Sequence, residues 1–95
     1  MFIDEADYVR YLNHERQFFA RALVEFGGYN AAQADREALE RYPYEPANPD
    51  RGWIFHDSPW HWAMIRLHGN CFWASQPDLT QPPHDYWEDY FATMP

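Results

Sequence analysis

No proline or glycine interrupts the chain between Asp4 and Phe26. Within that stretch Tyr8, Leu12, Phe19, Leu23 and Phe26 recur at spacings of three, four and seven, which a 3.6-residue period gathers on one face. Asp4, Glu5 and Asp7 suit the positive end of a helix dipole, and Gly27-Gly28 provides a stop. A first helix over residues 4–26 is therefore expected. Tyr11 and Phe18 lie seven residues apart on a second stripe, with Val9, Ala20 and Val24 between the two. An apolar surface this wide belongs either to a central helix contacted on two sides, the reading we favour, or to an exposed binding face. Two apolar stripes on one helix are hard to cover with 95 residues, so a homodimer or a stable heteromer with Tyr11 and Phe18 near the contact is expected.

Asn30 with Gln33 three residues later has the capping-box pattern, and Ala31, Ala34, Ala38, Leu39 and Tyr42 repeat at helical spacing until Pro43. A second helix over residues 30–42, joined to the first by Gly27-Gly28-Tyr29, makes an antiparallel hairpin in which the alanines permit close approach. Prolines at 43, 46, 49 and 59 and Gly52 make residues 43–59 a loop, with Trp53, Ile54 and Phe55 as its apolar plug. Trp53–Phe55 could instead pair as a short strand with Cys71–Trp73, and three residues are too few to choose. Ser58-Pro59 is a cap and first-turn pair for a third helix over residues 59–68, with Trp60, Ala63, Met64 and Leu67 on one face and Gly69 as its stop. Residues 76–83 are again proline-rich, and His84–Phe91 is expected to add a helical turn or two. The fold class is thus all-α or mainly α, one domain over residues 1–95, with helix roughly half of the residues.

Composition narrows the function. The net charge is −8, from fifteen acids against seven arginines and no lysine. Residues 1–42 carry −3 and residues 43–95 carry −5, so the acidity is spread along the chain. Nucleic acids and anionic membrane surfaces are bound through clustered Lys and Arg, and both are disfavoured as partners. A single cysteine, Cys71, excludes an intrachain disulfide, and the opening Met1-Phe2-Ile3-Asp4-Glu5 lacks the basic and apolar regions of a secretory leader, so a cytoplasmic location is expected.

Chemistry-bearing patterns are sparse. His56, His61, His68 and Cys71, with Asp57 beside them, have ligand types suited to zinc, but not the usual spacing of a zinc site. His61 and His68 lie about 10 Å apart along one helix, too far for one ion without a third element. The plainer reading makes the histidines partly exposed and Cys71 a small core residue. His14-Glu15 opens the zincin pattern, yet Phe18 stands where its second histidine belongs. Cys71 has no oxyanion device beside it, and no glycine-rich phosphate loop exists. Acid pairs such as Asp35 with Glu37, or Glu88 with Asp89, do not face each other on a helix and read as solvated surface. A helix-turn-helix role for the second helix is opposed by Asp35, Glu37 and Glu40.

Nineteen aromatic residues are the most unusual feature. Core packing absorbs most of them, and about two or three are expected to remain exposed, Trp62 first because it lies off the Trp60/Met64/Leu67 face. Aromatic anchors beside carboxylates are what a surface for a basic protein uses. The expected function is a small acidic interaction module that binds and inhibits or modulates a basic protein partner, as an immunity protein, an antitoxin or a phage-encoded inhibitor does. Tyr11, Phe18, Trp62, Trp87, Glu88 and Asp89 are its candidate surface, and no cofactor is required. The alternatives are a zinc-dependent enzyme or module built on His56, His61, His68 and Cys71, and a small-ligand pocket lined by Trp and His.

Overall fold

The structure is a computed structural model that describes residues 4–95; Met1 to Ile3, which belong to the opening read as leaderless, lie outside the described residues. The fold is all-α: 71% of the described residues are helical, more than the half expected, with no strand among them. The helices are α1 (Glu5–Gly27), α2 (Ala31–Arg41), α3 (Pro59–His68), α4 (Phe72–Ser75) and α5 (His84–Ala92), with short 3-10 turns at Trp53–His56 and Pro77–Thr80. No helix is long and apolar enough to cross a membrane.

α1 spans most of the long dimension of a 38 × 25 × 24 Å molecule, since 23 residues at a 1.5 Å rise extend about 34 Å. Its first turn is closed by Asp4, whose Oδ1 accepts from the Asp7 amide at 2.8 Å. Its last turn ends on Gly28 in the left-handed region (φ 70°), and the Tyr29 amide returns to the Leu23 carbonyl at 3.2 Å. The capping box at α2 forms in both directions, at 2.8 Å from the Gln33 amide to Asn30 and 3.1 Å from the Asn30 amide to Gln33. α2 then lays Ala34, Ala38 and Tyr42 against α1, while Leu39, expected on this face, points to solvent. The stripe is narrow because alanines bring the helices close, leaving no room for a residue about 100° off the contact line. The Arg16 guanidinium locks the end of α2 by donating to the Tyr42 carbonyl at 2.8 Å.

α3 lies on another side of α1, capped by Ser58 and burying Trp60, Ala63 and Met64. The possible Trp53–Phe55 strand does not form. Gly52 at φ 91° starts a 3-10 turn whose Phe55 amide bonds the Gly52 carbonyl at 2.9 Å, so the backbone is satisfied locally. Cys71–Trp73 likewise begins the single turn of α4. Phe55 acts as the expected plug, meeting Tyr11 at 4.7 Å between ring centres.

Candidate interaction surface

The second stripe of α1 is covered from within the chain. Phe18, only 2% exposed, takes the edges of Tyr86 and Tyr90 of α5 at 5.4 and 5.3 Å, and Tyr11 is partly covered by Phe55. Phe18 is therefore core rather than interaction surface, and the uncovered stripe that motivated a homodimer is not there. The favoured reading, a central helix contacted on two sides, is the one observed. α5 runs nine residues, one beyond the expected His84–Phe91, and the Tyr86 hydroxyl bonds the Phe18 carbonyl at 3.0 Å.

Under α5 lies a buried polar cluster that sequence reasoning missed. Glu15 is 1% exposed and accepts from the Tyr90 hydroxyl at 2.7 Å. His14 Nε2 meets the Tyr90 carbonyl at 3.0 Å and Thr93 Oγ1 at 3.2 Å, while its Nδ1 is 3.4 Å from Glu15. Bonding to a carbonyl places the proton on Nε2, leaving Nδ1 as an acceptor that a protonated Glu15 can serve. Burial pushes the Glu15 carboxyl up to about 7, and it moves the His14 imidazole downward. The Tyr42 hydroxyl is also buried, without a hydrogen-bond partner among the described residues, and is pushed upward by burial and then by Glu15. A signal for this cluster existed: Glu15 lies seven after Tyr8 and four before Phe19, in the middle of the apolar face. The cluster is closed to substrate by its burial, so its consequence is for stability.

The outer surface offers a different geometry. The Arg41 guanidinium lies 3.9 Å from the centre of the Trp62 ring, and the Trp62 indole donates to the Ile54 carbonyl at 3.1 Å. Trp62 is thus half-buried, not the most exposed tryptophan, because an arginine from α2 and the 3-10 turn cover the side that α3 leaves open. The Arg41–Trp62 stack borders two clefts. One, of about 420 Å³, lies between α2 and α3 and includes Glu37, Glu40, Ile65 and Arg66. The other, of about 390 Å³, is walled by Trp53, Ile54 and Trp62 and carries Glu45 and Asp57. Trp53 is 73% exposed, with His56 stacked against it at 5.3 Å. Its exposure follows from the 3-10 turn, which directs Phe55 inward and Trp53 outward.

α5 presents the remaining candidates. Trp87 stacks on Phe91 at 5.3 Å and bonds Gln81, leaving Phe91 63% exposed. Glu88 pairs with His84 at 2.7 Å, and Asp89 is held by Arg21 at 2.7 Å.

The His/Cys group does not converge. His56 stacks on Trp53, His61 stacks on Trp73 at 5.7 Å and approaches Asp57 at 3.9 Å, and His68 is exposed at the end of α3. Cys71 is exposed rather than core, with a left-handed backbone (φ 62°) that turns α3 into α4. Among the described residues no three His, Cys, Asp or Glu side chains are placed to hold a metal ion. Comparison of the chain with protein families, with curated proteins and with solved structures finds no match.

Proposed function

We propose that this protein is a small acidic interaction module that binds a basic protein partner and thereby modulates or inhibits it, using the face formed by α2, the Trp53–His56 turn and α3. The observation that carries the reading is Trp53, a 73% exposed tryptophan at the edge of a cleft that also carries Glu45 and Asp57. Large rigid aromatics supply contact area at low entropic cost, and carboxylates around them select and steer a cation-rich surface. The net charge of −8 adds long-range attraction to a positive partner. The exposed acids of α5, Asp85 and Glu88, extend the same field and are assigned to steering rather than anchoring.

The test is kinetic. With a captured partner, association measured by stopped flow should slow about tenfold between roughly 50 and 500 mM salt, over which the Debye length shrinks about threefold, while dissociation changes little. Trp53→Ala should act on dissociation instead, as loss of an anchor does. An association rate indifferent to salt would remove the electrostatic basis of the reading.

A further inference from the structure

We infer that the cleft walled by Trp53, Ile54 and Trp62 is a receptor for one arginine side chain of that basic partner. This rests on the proposed function and gives it a specific contact. The chain itself shows how it handles guanidinium groups: Arg21, Arg41, Arg51 and Arg66 each lie over an aromatic ring, at 3.9 to 5.8 Å from its centre. No such cation covers Trp53 among the described residues, although it is the most exposed of the large apolar side chains. Its indole is held from one side by His56 at an interplanar angle of 15°. The opposite wall is fixed, since the Trp62 indole is bonded to the Ile54 carbonyl and its ring is occupied by Arg41.

The charges at the cleft select the occupant. Glu45 makes no ion pair among the described residues, and Asp57 has only the 3.9 Å approach to His61. Against these two carboxylates stands Arg41, whose guanidinium lies over the Trp62 ring, so the carboxylates still outnumber the arginine at the cleft. An apolar side chain entering the cleft would strip water from both carboxylates without replacing it, and an anionic one would be repelled. Arginine meets the demands together: its methylene stem suits the apolar walls, its planar head stacks on indole, and its fork of donors matches carboxylate oxygens. Lysine, a compact and strongly hydrated charge, stacks less well.

The experiment uses the full chain labelled with ¹⁵N and two peptides, acetyl-Gly-Arg-Gly-amide and the same peptide with citrulline, which keeps the shape of arginine and removes its charge. The arginine peptide should shift the Trp53 indole N–H signal saturably, together with the amides of Ile54 and Asp57. The citrulline peptide should bind about tenfold more weakly. A Glu45→Gln, Asp57→Asn double variant, altered only at partly exposed positions, should reduce that preference severalfold, and Trp53→Ala should abolish the Ile54 and Asp57 shifts. Equal shifts from both peptides would overturn the proposal, because stacking without charge selection is not arginine recognition. A silent Trp53 signal would also overturn it. If the Trp87 indole moves in its place, a basic partner is met on α5; if no indole moves, the salt dependence of association decides separately whether a basic partner is met at all.

Discussion

Replacing Glu15 by Gln isolates the cost of keeping a carboxyl group under α5. In the folded chain its pKa is about 7 against an ordinary value of 4.5. A raised carboxyl pKa means that the folded state holds the proton more tightly than the unfolded one. The resulting stability is fully present below 4.5, declines as pH rises, and is gone above about 7. At about 1.4 kcal/mol per pH unit the loss is about 3 kcal/mol, large against typical domain stabilities of roughly 5–15 kcal/mol. Gln keeps an oxygen to accept from Tyr90, offers an N–H toward His14 Nδ1, and cannot ionise. Urea unfolding followed by tryptophan fluorescence should therefore give Glu15→Gln a stability within about 0.5 kcal/mol of the parent at pH 4.5 and an advantage approaching about 3 kcal/mol at pH 8. His14 contributes an opposite slope, because burial lowers its pKa and stability falls as pH drops below its ordinary value of 6.5. That slope is common to both proteins and largely cancels in the difference. A difference that is constant across the range, or that favours Glu at pH 8, would refute the reasoning.

Other consequences can be checked alongside. Phe18→Ala should cost about 3–5 kcal/mol in thermal or urea unfolding, as core truncation of an aromatic does, and should not act by dissociating an oligomer; sedimentation of the parent and variant distinguishes the two. Gly28→Ala should lose about 1 kcal/mol in urea unfolding, since it places a β-carbon on a left-handed residue where the new methyl group meets only open space. Cys71→Gly should be neutral or stabilising by up to about 1 kcal/mol for the converse reason, and the parent thiol should react with Ellman's reagent without denaturant. Elemental analysis of the purified protein should find no stoichiometric zinc.

What could be read from the sequence was what local rules govern. Asn30 with Gln33, Ser58 with Pro59, and the glycine at the end of α1 fix helix ends through bonds within a few residues, and each forms where expected. Spacing finds most of the buried faces of α1 and α3, but Phe26, expected on the first, is exposed and Leu67, expected on the second, is only partly buried. The exposure of individual tryptophans does not follow from spacing: Trp62 is sheltered by Arg41 from another helix, and Trp53 is turned outward by a 3-10 turn that the Phe55 amide closes on the Gly52 carbonyl. The helix α5 forms where Trp87, Tyr90 and Phe91 placed it, although its N-cap residue, Pro83, offers no side-chain bond. Glu15 carries a sign in its place within the apolar face between Tyr8 and Phe19, but not the group that shelters it, since Tyr90 comes from the far end of the chain.

The way α5 is attached has a bearing on how the molecule assembles. Its hydrogen bonds to α1 join residues 68 to 76 positions apart in the chain, whereas the α1–α2 hairpin closes over a few residues. Short closures cost less chain entropy than long ones, so α5 is expected to settle onto a hairpin that is already formed. Until it does, Glu15 faces water and is ionised at neutral pH. Covering Glu15 therefore takes up a proton between pH 4.5 and 7, while covering His14 in the same cluster favours release of one, so the docking of α5 couples two titrations of opposite sign.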